Sequence, residues 1–189
     1  MTEATVHPEA TLSPTKDELC AEFSTITERL GSYRAVDPDG EVGIEVIISR
    51  TFSGELGQLF LSYRAADNAT KKEIARMDHS VLGERSVAFG ADDRVAKAEF
   101  KRIVEESDVS AGFVDREGND IPQRFTAYGT GGEGEFFCYS TLIDEPKAPG
   151  QLRVIDHETG ADYLAGASFR APRDARPRPS EWPDSPCAA

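Results

Sequence analysis

The chain has 189 residues, a length that suits one domain or one domain with extensions, and 39% of them are hydrophobic, enough to build a core. Its net charge of −13 and pI near 4.7 exclude the basic stripe that nucleic acid requires and the polybasic contact that an anionic membrane attracts, so neither is expected as a partner. The N-terminal residues show no secretory pattern, no apolar run nears the roughly 18–20 residues of a membrane span, and Cys20, Cys138 and Cys187 form no CxxC pair. A reducing, cytoplasmic setting is the expectation.

Residues 1–10 are polar and expected to be flexible. Ser13 or Thr15 then offers an N-cap, Asp17 and Glu18 suit a first helical turn, and Leu19, Phe23, Ile26 and Leu30 recur at i, i+4, i+7 and i+11. That stripe predicts a helix closed by Gly31 in a left-handed cap, with Cys20 beside it as a packing residue. From Tyr33 the period changes. Residues 33–36, the turn Asp37-Pro38-Asp39-Gly40 and residues 42–49 read as a β-hairpin, in which Ile44, Val46 and Ile48 mark a buried face.

A third strand is expected over residues 58–64 through Leu59, Leu61 and Tyr63. One or two helical turns are expected within 66–75, a short connection over 77–82, and a strand over 86–89. Ala96, Phe100 and Ile103 predict a second helix from about residue 92 to 105, with Asp92 and Asp93 at its positive end. Beyond residue 108 the pattern is β only, with strands expected over 112–114, 124–128, 135–142, 152–155 and 163–169. The last 20 residues hold five prolines and four arginines, too little apolar area to order, and are expected to be disordered. The whole reads as α+β, two helices against a curved antiparallel sheet. It divides into a flexible N-terminus (1–10), an α+β region (11–107), a β-rich extension (108–169) in the same globular unit, and a Pro/Arg tail (170–189).

Three stretches taken in order carry a family resemblance. They are Thr11 to Leu19 (TLSPTKDEL), then Val36 to Glu45 (VDPDGEVGIE) with Leu61-Ser62-Tyr63-Arg64, and Met77 to Arg85 (MDHSVLGER). Over roughly residues 9–105 the chain resembles the maltokinase N-terminal cap domain and its free-standing relatives. Two departures stand out: the first helix runs on where the family has a Trp-containing loop, and about 60 residues of β-type sequence replace the phosphotransferase lobes. The resemblance implies a cystatin-like cap topology, and it implies no catalytic residue, because the family's phosphoryl chemistry belongs to the absent lobes.

Chemistry sought directly in the residues agrees with that. Gly129-Thr130-Gly131-Gly132-Glu133-Gly134 fits G-x-G-x-x-G but precedes a β-run rather than a helix, so it reads as a glycine-rich hairpin loop. Ile155-Asp156-His157-Glu158 is similar to a kinase metal-binding run but lacks a catalytic-loop partner, and reads as a turn. His7, His79 and His157 stand about 70 residues apart, without the spacing of a zinc site. No cofactor and no metal are expected. Arg64, His79, Arg85 and Tyr63 are the candidate binding residues: the arginines as anchors for an anionic or polyhydroxylated ligand, His79 as a turn residue inside the family-like stretch. Two functions follow as expectations. One is a non-catalytic interaction or regulatory protein with a partner in glycogen, maltose or trehalose metabolism. The other is a sugar- or nucleotide-binding module whose pocket under the sheet is lined by Tyr33, Tyr63, Tyr128, Phe136, Phe137 and Tyr139.

Overall fold

A computed structural model describes residues 2–23, 26–133, 139–143 and 149–165. The chain forms β1 (Glu3–Thr5), β2 (Leu12–Ser13), α1 (Lys16–Phe23), β3 (Ile26–Val36), β4 (Val42–Thr51) and β5 (Leu56–Ala65). It continues with β6 (Glu73–His79), β7 (Gly83–Phe89), α2 (Arg94–Glu105), β8 (Gly112–Val114), β9 (Asp120–Ile121), β10 (Phe125–Gly129), β11 (Tyr139–Ile143), β12 (Leu152–Asp156) and β13 (Asp162–Ala165). The fold is α+β, a curved antiparallel sheet with two helices.

Strands β3, β4 and β5 run as antiparallel neighbours. The far edge of β5 is shared: residues 56–59 pair with β11 and residues 61–65 with β7. One branch then continues through β6 to β2, the other through β13 and β12 to β10. Residues beyond 108 therefore complete the same ten-stranded sheet that the first half begins. A second, three-stranded sheet joins β1 parallel to β8, with β9 beside it.

The central strands are buried on both faces. On one face Ile44, Val46, Ile48 and Phe60 meet Ala96, Phe100, Ile103 and Val104 of α2, and the β-rich second half closes this core with Phe125, Ala127, Leu152 and Val154. Phe100 stands edge-on to Tyr33 at 5.8 Å and to Phe60 at 5.0 Å. On the other face Leu19 and Cys20 of α1 pack on Ile47, Leu59, Leu61, Met77 and Val87. Burial pushes the Cys20 thiol up to about 12, which fits a packing residue and no nucleophile.

Five expectations need correction. The first helix stops at Phe23, and the residues expected to complete its stripe, Ile26 and Leu30, lie in strand β3 instead; the β-branched Ile26 and Thr27 favour the pleated backbone. Gly31 is no helix cap but lies at a register shift of β3 against β4, below the Phe125 ring. Residues 77–82 are not a mere connection, since Met77 to His79 end strand β6. The segment read as flexible at 1–10 contains β1, tied further by the Val6 N–H donating to the Val114 carbonyl at 2.9 Å. Finally, β10 pairs with β12 rather than β11, so the glycine-rich stretch is a crossover and no hairpin. Gly129 is demanded by packing there, because a Cβ would stand 1.9 Å from the Ile103 carbonyl oxygen. Residues 135–138 and 166–189, and with them part of two expected strands and the whole tail, lie outside the described residues.

Candidate functional site

Strand register alone assembles a polar floor on the α1 face. Opposed residues of an antiparallel pair share a face, as do alternate residues along one strand. Arg34 opposes Glu45, Gly43 opposes Tyr63, Tyr63 opposes Val87 and Met77 opposes Arg85. Stepping by two along each strand connects these pairs, so Ser32, Arg34, Glu45, Gly43, Tyr63, Arg85, Met77 and His79 look out on the same side.

A cavity of about 280 Å³ opens on that floor. Its roof comes from the N-terminal segment (Thr5, Val6, His7, Pro8), with Leu12, Lys16, Leu82 and Phe113 closing the rim. The segment is held there by β1 on β8 and by β2 on β6, where Leu12 opposes His79. Gly43 keeps the floor open: a Cβ there would only touch Tyr63, at 3.4 Å.

Glu45 is the centre of charge. Its side chain is 2% exposed and lies 2.7 Å from Lys16 Nζ and 3.5 Å from Arg34 Nη2. Burial would raise its carboxyl, but the two cations outweigh burial and hold it well below the usual carboxylate range. Burial draws Lys16 down, against the pull of Glu45. Arg34 also stacks on Phe113, 5.7 Å from the ring centre.

Four lining groups carry enclosed polar atoms without a hydrogen bond: His7 Nδ1, Arg34 Nε, Glu45 Oε2 and the Tyr63 hydroxyl. Glu45 Oε2 is in ionic contact with Lys16 even so, His7 Nδ1 lies 3.7 Å from a Glu9 carboxylate oxygen, and the Tyr63 hydroxyl interacts with Glu45, which leaves Arg34 Nε as the atom without a partner. Burial, then the charge of Glu45, pushes the Tyr63 phenol up. Arg85 faces the cavity with no carboxylate partner among the described residues, and burial lowers its pKa. Unsatisfied groups of this kind are uncommon in a closed core and suit a site that a polar guest completes.

His79 behaves as a turn residue: its Nδ1 accepts from the Val81 and Leu82 N–H groups, both at 3.2 Å. The neutral ring then carries its proton on Nε2, which gives this cavity-lining residue one free donor. Burial first, then His7, Arg85 and Lys16, lower its pKa. His7 stands edge-on to it at 5.7 Å.

Three of the four residues singled out from sequence, Tyr63, His79 and Arg85, thus come together. Arg64 does not. It points to the opposite face and binds Asp93 through both oxygens, at 2.7 and 2.8 Å. Asp93 in turn caps α2 through the Val95 and Ala96 N–H groups. Of the aromatics expected to line a pocket, Tyr63 alone does so among the described side chains. Tyr33 is core, its hydroxyl donating to Gln58 at 2.8 Å, Tyr128 bonds Asp162, and Phe136 and Phe137 lie outside the described residues.

Sequence reasoning missed His7, Lys16, Arg34 and Glu45. Only Glu45 left a signal, a charge at an alternate position between Ile44 and Val46 where a solvent face would have been polar throughout. The run 155–158 ends β12 and opens the turn to β13, with Asp156 engaged by Arg124 at 3.0 and 2.9 Å.

Comparison with known proteins bears on the floor of this cavity. Residues 21–93 match the family model of the maltokinase N-terminal cap domain. The matched segment contains β3 to β7, and so Arg34, Gly43, Glu45, Tyr63, His79 and Arg85. The roof (5–8) and Lys16 fall outside it, as do α2 and all later strands. No curated protein and no solved structure matches the chain.

Proposed function

We propose that the chain is a non-catalytic, cap-like protein that binds a small polar metabolite in the cavity between sheet and N-terminal segment. Its setting would be glycogen, maltose or trehalose metabolism, where it acts as a regulatory or interaction partner. The likeness over residues 21–93 supports the setting. The reading of the whole as a cystatin-like cap with a β-rich C-terminal extension goes with it. The observation that carries binding is one cavity that gathers the enclosed, unbonded Nε of Arg34 and an Arg85 without a carboxylate partner among the described residues. At about 280 Å³ that cavity falls just below the roughly 300–1,000 Å³ of drug-sized sites, so its guest is about the size of a monosaccharide.

Thermal unfolding tests this with neutral, cationic and anionic monosaccharide derivatives. A ligand at 100 times its dissociation constant adds about 2.7 kcal/mol, which raises the melting temperature of a chain this size by several degrees. At least one compound is expected to give such a shift, and Gly43→Val, which fills the floor at ordinary contact distance from Tyr63, is expected to abolish it. No shift with any compound, or an undiminished shift in the variant, overturns the binding reading. ATP-dependent phosphorylation of maltose or glucosamine by the purified protein would overturn the non-catalytic one. A pull-down returning only proteins foreign to these pathways would overturn the metabolic setting.

A further inference from the structure

We propose that the cavity selects an anionic guest, one whose phosphoryl or carboxylate group sits against Arg85 and the Nε2–H of His79 while hydroxyl groups meet Tyr63 and Arg34. This rests on the binding reading above and adds the charge and orientation of the ligand. Three cationic side chains, Lys16, Arg34 and Arg85, line the cavity against one carboxylate, Glu45. The site is thus locally positive in a chain whose net charge is −13. A protein with that charge repels anions in general, and a fixed cationic pocket is what reverses the sign at one place.

The cations are not equivalent. Glu45 neutralises Lys16 and Arg34 from 2.7 and 3.5 Å, whereas Arg85 has no carboxylate among the described residues and is drawn in from solvent all the same. A half-buried guanidinium without a counterion keeps only part of its hydration and offers a ready fork for an oxyanion. His79 adds a neutral donor at the same end, since its Nδ1 is occupied by the 81 and 82 N–H groups. The Arg34 end is different. Across the sheet β3 and β7 are three strand spacings apart, about 14 Å, and at Arg34 the enclosed Nε has no partner but stands on a guanidinium 3.5 Å from a carboxylate that repels a second anion. That end suits hydroxyl groups.

The test is isothermal titration with glucose, glucose 6-phosphate, glucuronate and inorganic phosphate. Glucose 6-phosphate or glucuronate is expected to bind about tenfold or more tightly than glucose, the usual scale of a charged hydrogen bond, and raising the salt is expected to erode that margin. Arg85→Met is expected to bring the charged and neutral sugars within about threefold while melting within about 2 °C of the wild type, since no partner is lost. Arg85→Lys is expected to keep part of the preference, which guards against a folding defect as the cause. Glucose binding as tightly as its charged analogues, or a preference that survives Arg85→Met, overturns the anion proposal and leaves ligand binding standing. Binding of none of the four probes overturns the charge proposal for monosaccharides, and the broader thermal panel then decides the binding reading separately.

Discussion

The two faces of strands β4 and β5 make the instructive contrast. The even-numbered Ile44, Val46 and Ile48 face α2 across a dry core, while the odd-numbered Gly43 and Glu45 floor a polar cavity beside α1. The same ten-residue strand serves both because its side chains alternate. The α2 face holds large side chains in close contact and derives its stability from burial. The other face holds a small residue and a charge, which cost stability locally and leave room and polarity for a guest. The odd-numbered face is itself divided, since Ile47, Leu59 and Leu61 pack with Leu19 and Cys20 in a second core and only its Gly43–Glu45 end floors the cavity.

Breaking the dry face gives the largest expected effect. Phe100→Ala removes a fully buried ring in contact with Tyr33 and Phe60 and is expected to cost about 3–5 kcal/mol in denaturant unfolding. Affinity per folded molecule should be unchanged; a parallel loss of affinity would show that the faces are coupled. Glu45→Gln comes next. It leaves Lys16 and Arg34 without their counterion, but these are 21% and 23% exposed. The expected loss is about 2 kcal/mol, below the roughly 3–5 found when a fully buried pair is broken. Equilibrium unfolding at neutral pH reads it, and the variant is expected to bind anions more tightly.

The pH dependence is the gentlest probe and should fall into two stages. His79 has its folded pKa below the ordinary 6.5, so the unfolded chain binds the proton more readily and stability declines as pH falls below about 6.5. Glu45 and Asp93 are also lowered, from 4.5 and 3.8, with burial opposing and their cationic partners prevailing. Their contribution is present above those values and is lost as pH falls through and below them, giving a steeper second decline. Melting curves from pH 8 to 3 should show both stages. His79→Gln should flatten the first, and Glu45→Gln or Asp93→Asn the second. A single transition untouched by His79→Gln would remove the histidine from the account.

Local signals fixed much of this protein. The Asp37-Pro38-Asp39-Gly40 turn, the alternation through Ile48, the α2 stripe of Ala96, Phe100 and Ile103, and the turn chemistry at 115–118 and 156–160 all predict their elements, because turn residues and periodicity act over a few neighbours. The apolar stripe at Leu19, Phe23, Ile26 and Leu30 misled, since short apolar spacing fits a helix or a strand equally until β-branching and partners decide. Tyr63, His79 and Arg85 could be singled out as residue types able to hold a ligand. That they share a cavity, while Arg64 is spent on Asp93, depends on strand register. Register also brings His7 within ring contact of His79 across 72 positions of sequence, sets Arg34 against Glu45 and carries residues beyond 108 into the first half's sheet. Only the tertiary structure decided those, because pairings between distant strands are chosen by the burial of the whole core and leave no mark on either strand alone.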